Sequence, residues 1–313
     1  MKITKMTRWR VFAGVWIQSL FTSATAFFSL FALPLTSQFG WSSSEFSMAY
    51  TIYMFVYCAM GFVGGLLAEK LQPRVAIYLG LVFFSAGWFL TGFASSIPQL
   101  YLFYGILAGA GAGTIYPACL PTALKWFPDK SGSISGLVQA GASCGPFIMS
   151  PIAQNQIGQS AMTAAMCVSI MTLANMCGRI GFGFIYDKLK GWNSLILVLA
   201  LNGLSMCMLT VAKSLPYFIA CICLVGFSFG GLLVVFAPIV KNVFGSKYYN
   251  RNYGLIFIGY GIGAFVGPKI SASFYDSTGS YVAGYIGSAI LAALAVVLVF
   301  AARKLTASMQ EKG

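Results

Sequence analysis

Histidine is absent from the 313-residue chain, and acidic residues are scarce, with six Asp and Glu against 19 Lys and Arg. The missing imidazole is the side chain that most often serves as proton shuttle, as the base of a nucleophilic triad or as a metal ligand. The eight cysteines are scattered through apolar segments, without the clustering of a zinc site or the loop placement of a disulfide framework. The sequence therefore argues against an enzyme and predicts no metal and no other cofactor.

Charge is also low overall, because 8% of the residues are charged and 58% are hydrophobic. Average soluble domains carry about 25% charged residues, and a bilayer-spanning helix needs about 20 apolar residues. Apolar runs of that length recur along the whole chain, so the sequence predicts a multi-pass membrane protein. The net charge of +13 does not indicate a nucleic-acid partner, because the cations lie in short loops rather than in one stripe or patch.

Apolar periodicity and turn residues predict ten spans. Their approximate ranges are 11–35, 46–68, 75–95, 100–124, 133–153, 161–186, 194–212, 216–240, 254–275 and 280–302. The apolar part of the first range is too long for the core of a cleaved signal peptide. With a cytoplasmic N-terminus, 16 of the 19 cations fall on the inside, namely Lys2, Lys5, Arg8, Arg10, Lys70, Arg74, Lys125, Lys130, Lys188, Lys190, Lys241, Lys247, Arg251, Arg303, Lys304 and Lys312. The positive-inside rule thus predicts that both termini lie in the cytoplasm. We expect a multi-pass protein of the plasma or inner membrane.

Glycine runs mark several spans, for example Gly105-x3-Gly109, Gly109-x-Gly111-x-Gly113 and Gly259-x-Gly261-x-Gly263. Small residues let helix backbones approach closely in lipid. A nucleotide-binding loop is the alternative, but no strand precedes these runs. The runs therefore predict close helix packing.

An internal repeat relates the two parts of the chain. The segment 65–71 after the second span matches 183–189 after the sixth, an offset of 118 residues. The next inside loops match as well, since Phe127, Lys130 and Gly136 correspond to Phe244, Lys247 and Gly254. Two parallel repeats are a recurrent transporter architecture in which the substrate binds near the bilayer midplane.

These loops carry a family resemblance over nearly the whole chain. Residues 65–74 resemble the motif that major facilitator superfamily transporters place between helices two and three. Residues 125–130 with Ser135-Gly136 resemble the loop between helices four and five of the oxalate:formate antiporter and monocarboxylate transporter families. Residues 175–188 and 251–254 are similar to the eighth helix and the entry to the eleventh helix of the same antiporters. The resemblance implies an all-α membrane protein, a major-facilitator-like bundle of two pseudo-repeated halves at 1–140 and 141–313.

The chain departs from that family in its number of spans, about ten instead of twelve. Ser133–Gly145 resembles the start of helix five, whereas Ser150–Asn155 resembles the end of helix seven. We therefore expect the fifth span to be a fusion. The first half would hold helices one to four and the start of five, and the second half would hold the fused helix and the family's helices eight to twelve.

Two cations, Arg179 and Lys269, lie at predicted membrane depth, where the sequence has no acidic residue. An intramembrane charge costs at least about 2.5–3.5 kcal/mol on the lenient insertion scale, so such residues usually serve a function. Arg179 precedes Asp187 by eight residues, which places it about 12 Å from the cytoplasmic end of its helix. Its guanidinium suits a carboxylate, and the alternative is a structural arginine bonded to helix carbonyls. By resemblance, Arg179 matches an arginine implicated in binding a dicarboxylate.

The second cation is less clearly part of a site. Lys269 is seven residues before Asp276, so its side chain could reach the outer surface or meet that carboxylate. An ungapped match from residues 251–254 places the family's helix-eleven substrate lysine on Tyr260. This difference favours a monocarboxylate or a larger anion over oxalate.

Uncharged polar residues inside the spans are further candidates for substrate contacts. Tyr116 matches an aromatic cavity position of the family, with ordinary packing as the alternative. Other such groups, each able to bond a ligand or a neighbouring helix, are Gln18, Gln139, Asn175 and Asn202.

The inside loops resemble the family's cytoplasmic gate. Their carboxylates could bind backbone N–H groups or basic side chains in one conformation, and a solvated charged loop is the alternative. Glu69 and Gln72 stand where the family usually has Asp and Gly. The predicted gating residues are Gly65, Glu69, Lys70, Arg74, Asp129, Lys130, Asp187 and Lys188.

The leading functional hypothesis is a monomeric secondary transporter that moves small organic anions, carboxylates in particular, by alternating access. Anion exchange fits best, because no buried Asp, Glu or His offers a conventional proton relay. Proton-coupled monocarboxylate symport is the alternative. A binding protein that does not transport, or a product made defective by the internal deletion, is the alternative from another class.

Overall fold

A computed structural model of the chain describes residues 5–23, 25, 28, 31–141, 162–189, 191–245, 249–278 and 280–310. Within these ranges the regular structure is helical, without a strand, which confirms the predicted all-α class. The helices are α1 Lys5–Thr22, α2 Ala32–Phe39, α3 Ser43–Leu71, α4 Pro73–Thr91, α5 Ile97–Trp126, α6 over 131–141, α7 Met162–Leu189, α8 Gly191–Thr210, α9 Leu215–Phe244, α10 Tyr249–Thr278 and α11 Val282–Gln310. A π-helical segment, Tyr101–Ala108, interrupts α5.

Six of the described helices, α3, α4, α5, α8, α9 and α11, are long and apolar enough to cross a membrane. Three further predicted spans correspond to α1, α7 and α10, of 18, 28 and 30 residues. The fifth predicted span is described as far as residue 141, so the expected fusion lies outside the described residues.

The junction between α3 and α4 forces one residue into an unusual conformation. Pro73 begins α4, and the preceding Gln72 has φ 76° and ψ 141°. This region is strained for any residue with a Cβ and is readily adopted by glycine. Glycine, the residue that the family usually has here, fits this conformation without strain. This chain has glutamine instead.

Replacing Gln72 with glycine should relieve that strain. We expect Gln72→Gly to stabilise the protein by about 1 kcal/mol, because the backbone cost of a side chain at positive φ exceeds the entropy that glycine adds to the unfolded chain. Thermal unfolding of the purified protein in detergent measures the change. Gln72→Ala, which keeps a Cβ at the same φ, is the matched control and should show no such gain. A glycine variant no more stable than the alanine variant would contradict the interpretation.

The helices group into two compact units. The first comprises Met1–Ala24, Phe127–Val243 and Ile270–Gly313, and the second comprises Thr25–Trp126 and Phe244–Lys269. The first thus holds α1, α6 to α9 and α11, and the second holds α2 to α5 with most of α10. These units reflect packing rather than sequence similarity, so the division into repeated halves at residue 140 stays a prediction.

In the second unit, the glycines of α5 allow direct backbone contact with α3 and α4. A Cβ added to Gly113 would lie 2.3 Å from the carbonyl oxygen of Tyr57, and one added to Gly111 would lie 2.2 Å from the backbone nitrogen of Phe84. No real side chain fits at such distances. The prediction of close packing is confirmed for this run. In the run Gly259-x-Gly261-x-Gly263 it holds only for Gly261, because a Cβ on Gly259 or Gly263 would meet no described atom within 4 Å.

In the first unit, α7 packs against α9 in the same way. A Cβ on Gly178 would lie 2.0 Å from the carbonyl oxygen of Phe227, and one on Gly230 would lie 2.2 Å from that of Asn175. A cluster of buried side chains continues this contact toward α8 and α11, formed by Phe182, Tyr186, Leu195, Val198, Leu199, Val235, Ile239 and Val299. The helix that carries Arg179 is therefore held by close packing on both sides of that residue.

The 118-residue repeat appears as the same backbone contact inside each unit. A Cβ on Gly183 would lie 2.7 Å from the carbonyl oxygen of Gly132, where α7 meets the start of α6. A Cβ on Gly65 would lie 2.6 Å from the carbonyl oxygen of Asn250, where α3 meets the start of α10. Gly65 corresponds to Gly183, and Asn250 corresponds to Gly132, each across the offset of 118 residues. The repeat found in the sequence therefore has a structural counterpart.

Candidate functional site

Arg179 lies inside α7 and is held by two neutral acceptors. Its Nε donates to the Oδ1 of Asn175 at 2.9 Å, one turn earlier on the same helix. Its Nη1 donates to the backbone oxygen of Gln139 on α6 at 2.5 Å. Two bonds from different nitrogens fix the plane of a guanidinium, while neutral oxygens leave its formal charge in place.

Close contact between α6 and α7 makes the second bond available. A Cβ added to Gly136 would lie 2.2 Å from the carbonyl oxygen of Arg179. Glycine at position 136 lets the backbones of α6 and α7 lie in direct contact. The guanidinium of Arg179 can therefore reach a backbone oxygen of α6. Gln139 itself is 1% exposed, so this side of Arg179 faces protein and not water.

The carboxylates that the structure describes bond to other groups. The Oε2 of Glu45 accepts from the backbone nitrogen of Ser42 at 3.0 Å in a capping box at the start of α3. Asp129 pairs with Arg8, and Glu69 accepts from a backbone N–H of α10. Asp187 accepts from the start of α6. None of these four carboxylates bonds to the guanidinium of Arg179.

Asp187 caps the N-terminus of α6. Its Oδ1 accepts from the backbone nitrogen of Gly132 at 2.8 Å and its Oδ2 from that of Ser133 at 2.8 Å, and the Ser133 hydroxyl donates to it as well. A carboxylate at a helix N-terminus satisfies otherwise unbonded N–H groups and meets the positive end of the helix dipole. Asp187 therefore joins the C-terminal end of α7 to the start of α6.

Glu69 makes the repeat-related bond in the second unit. Its Oε1 accepts from the backbone nitrogen of Arg251 at 3.1 Å, near the start of α10. Arg251 corresponds to Ser133 across the 118-residue offset. One bond here replaces the three that Asp187 makes, so the second unit has a weaker version of the same link.

Asp129 lies on the short 3-10 turn Pro128–Lys130 that precedes α6. The Arg8 guanidinium hydrogen-bonds this carboxylate and also lies 4.5 Å from the ring centre of Phe127. The same guanidinium holds the pKa of the exposed Asp129 carboxyl below its ordinary value. This contact ties α1 to the loop.

In the second unit, Tyr116 and Tyr260 meet at a shared ring. The centre of the Phe257 ring lies 5.1 Å from that of Tyr116 and 5.9 Å from that of Tyr260. Tyr57 and Tyr253 complete this aromatic cluster, at 5.8 Å and 5.2 Å from Phe257. Both candidate tyrosines are half-buried, which suits either packing or contact with a ligand.

The remaining predicted residues are placed as follows. Gln18 is half-buried on α1. The backbone of Lys269 lies in α10, but its side chain lies outside what the structure describes, as does that of Asp276. The cations of the predicted gating loops are exposed, namely Lys70, Arg74, Lys130 and Lys188. Within the described part of the chain, no group of three or more His, Cys, Asp or Glu could hold a metal ion.

Two contacts of the site escape sequence reasoning. Gln139 is visible only as one of several polar residues in a span, and the sequence does not pair it with Arg179. Arg8 reads as one of many inside cations, and its ion pair with Asp129 joins positions 121 residues apart. The repeat offers a partial signal for the first contact, because Gly136 marks where α6 meets a neighbour.

The long apolar helices are typical of a multi-pass membrane protein. The family model for the Major Facilitator Superfamily matches residues 15–154 and again 149–312. The chain therefore belongs to the major facilitator superfamily, and the resemblance found in its loops is confirmed.

Solved structures agree on the fold. The crystal structure of FucP in the outward conformation superposes with a TM-score of 0.74 at 13% identity, covering 92% of this chain and 97% of that chain. A variant of the same Escherichia coli fucose:proton symporter gives a TM-score of 0.71 at 12% identity. At such low identity the similarity concerns the fold alone.

Curated relatives are also transporters by name. The chain is 23% identical over 338 residues to the oxalate:formate antiporter of Oxalobacter formigenes, covering 80% of this chain and 81% of the relative. It is 20% identical over 372 residues to monocarboxylate transporter 13 of Rattus norvegicus, covering 90% and 87%. Both alignments are longer than the 313-residue chain, so each relative has residues without a counterpart here. The chain is a shortened, multi-pass member of a transporter family and not an enzyme.

Proposed function

We propose that this protein is a secondary transporter that carries small organic anions with a carboxylate group by alternating access and exchanges one anion for another. The observation that carries the proposal is the orientation of Arg179, within the predicted sixth span, by the neutral oxygens of Asn175 and Gln139. A guanidinium whose plane is fixed suits a carboxylate, and the pairing is strong where water is excluded.

The rest of the candidate site supports the same assignment. Asn175 orients Arg179 directly, which gives it a positioning role in addition to any contact with substrate. Tyr116 and Tyr260 offer phenol groups in the second unit, and Gln18 and Lys269 complete the proposed set of contacts. The names of the relatives, an oxalate:formate antiporter and monocarboxylate transporters, point to the same class of substrate.

The links made by Asp187 and Glu69 support a gating role for the cytoplasmic loops. Each carboxylate joins the end of one helix to the start of another, so each bond would break if those helix ends separated. We propose that these links stabilise one conformation of the transport cycle. The proposed orientation places the loops and both termini in the cytoplasm, as the distribution of cations predicts.

Exchange is tested in proteoliposomes that contain the purified protein. Vesicles preloaded with unlabelled oxalate, formate, acetate or lactate should take up the same labelled anion at least about tenfold faster than empty vesicles, because the loaded carrier returns across the membrane without having to reorient empty. A pH gradient alone should add little, since the predicted spans contain no Asp, Glu or His that could relay a proton.

Each other outcome has a defined meaning. Uptake into empty vesicles that follows the pH gradient and ignores internal anion would contradict exchange and favour proton-coupled symport. Thermal stabilisation by these anions without any uptake would overturn transport and favour a binding protein.

A further inference from the structure

The internal repeat makes α6 and α10 equivalent helices, but the described residues cover them differently. Gly141 of α6 lies against α1, because a Cβ added there would lie 3.1 Å from the carbonyl oxygen of Trp16 and 3.4 Å from the Cβ of Ser19. Across the offset of 118 residues, Gly141 corresponds to Gly259 of α10. A Cβ added to Gly259 would meet no described atom within 4 Å. A position that packs against a helix in the first unit is therefore uncovered by the described residues of the second.

The shortening of the chain gives a reason for this difference. The neighbour of Gly141 is α1, the first helix of the first half, so the expected neighbour of Gly259 is the first helix of the second half. In a family of twelve helices in two halves, that helix is the seventh. The sequence is expected to keep only its end, Ser150–Asn155, in the fused fifth span. The face of α10 that the seventh helix would cover is thus open to another partner.

This face of α10 is a stripe of glycines beside branched side chains. Gly259, Gly263 and Gly267 follow one another at a spacing of four residues, and all three are exposed. An added Cβ on any of them would meet no described atom within 4 Å. Ile262 is 61% exposed and Val266 is 39% exposed beside them. Each glycine leaves a groove, and each β-branched side chain forms a stiff ridge because it has one strongly preferred rotamer in a helix.

We infer that this face of α10 packs against the same face of α10 in a second copy of the chain, so that two copies form a parallel homodimer in the membrane. Copies inserted in the same orientation present the face in parallel, and a two-fold axis along the membrane normal sets the glycine groove of each copy against the ridge of the other. Glycines at a spacing of four residues are typical of helix pairs whose backbones touch in lipid. The glycines, Ile262 and Val266 are all apolar, so the contact requires no charged partner. The inference goes beyond the proposed function and replaces the expected monomer.

Self-association is measured in vesicles, because the proposed contact forms in lipid. Copies that carry a donor or an acceptor fluorophore at the C-terminus are reconstituted together, and energy transfer is followed as the protein is diluted with lipid. Wild type should show more transfer than random proximity gives, and unlabelled wild type should compete with it. Gly263→Ile fills the groove and should raise the dissociation constant of the dimer by about tenfold or more.

Gly14→Ile is the matched control. Gly14 is also exposed on a helix, and a Cβ added to it would meet no described atom within 4 Å. This variant should keep the energy transfer of wild type. Gly259→Ile fills the same groove one turn from Gly263, so it provides a second variant if Gly263→Ile does not fold. Wild-type transfer equal to random proximity, or transfer that folded groove variants retain in full, would overturn the inference.

Thermal unfolding in detergent, at a protein concentration where wild type is monomeric, tests the alternative occupant. A monomer has room for isoleucine at position 263, so Gly263→Ile should unfold at a temperature no lower than wild type. If residues 142–161 of the same chain covered this face, Gly263→Ile would unfold at a lower temperature and wild type would show only random transfer. That result would overturn the dimer. Carboxylate uptake is measured separately, so failure of the dimer leaves the proposed function standing.

Discussion

Arg179→Gln should reduce carboxylate uptake in proteoliposomes by about 100-fold or more. Removing one partner of a desolvated charge pair costs about 2–5 kcal/mol, and about 2.7 kcal/mol corresponds to 100-fold. Glutamine keeps much of the side-chain length and an amide N–H, so the change isolates the charge. Arg179→Lys should lose less, because the ammonium keeps the charge but not the planar fork that two neutral acceptors now orient.

Arg303→Gln is the matched control. The Nη1 of Arg303 donates to the Oδ1 of Asn193 at 3.1 Å, so this residue also bonds an asparagine amide, but it is exposed. The control should leave uptake within about twofold of wild type and should leave the unfolding temperature nearly unchanged, as exposed interactions of this kind contribute little. Full uptake activity in a folded Arg179→Gln protein would show that Arg179 does not bind the substrate.

Asp187→Ala should lower the stability of the protein by about 2–3 kcal/mol. The substitution leaves the backbone nitrogens of Gly132 and Ser133 without their acceptor, together with the hydroxyl of Ser133. Loss of a helix N-cap costs about 0.5–2 kcal/mol, and hydrogen bonds to a charged group contribute about 1.5–3 kcal/mol. Thermal unfolding in detergent measures the effect, and Asp187→Asn, which keeps an acceptor oxygen, should fall between alanine and wild type.

The internal repeat supplies the control for this prediction. Glu69→Ala removes the equivalent residue, which is exposed and accepts from the backbone nitrogen of Arg251. One exposed bond contributes less than three partly buried ones, so this variant should lose less than half as much stability as Asp187→Ala. Equal losses, or a larger loss for Glu69→Ala, would contradict the view that the link between α6 and α7 is the stronger of the two.

Much of the fold follows from composition and repetition alone. Long apolar runs with few charges predict spans because lipid offers no partner for exposed backbone groups, and helices satisfy those groups internally. The correspondence of segments 65–71 and 183–189 has a structural counterpart, because Gly65 approaches Asn250 as Gly183 approaches Gly132. These signals are readable because they depend on local sequence and on steric size.

The partners of the site residues were not predictable in the same way. Arg179 is recognisable as an intramembrane cation, and Asn175 lies one helical turn away, so that pair follows from periodicity. The bond to Gln139 depends on the position of α6 along the axis of α7. The close contact at Gly136 sets that position, and spacing within the sequence does not reveal it. Arg8 reaches Asp129 from 121 residues away for the same reason, since contacts between helices are set by packing and not by spacing.

The central claim is that Arg179 binds the carboxylate of the substrate, and a thermal-shift titration of purified protein tests it most directly. Carboxylates and their neutral amides, for example glycolate against glycolamide and acetate against acetamide, are added to wild type, Arg179→Gln and Arg303→Gln. A ligand at 100 times its dissociation constant stabilises the folded state by about 2.7 kcal/mol. The account predicts a saturable rise in unfolding temperature with carboxylates but not amides, in wild type and Arg303→Gln but not in Arg179→Gln. An equal rise in Arg179→Gln would contradict it.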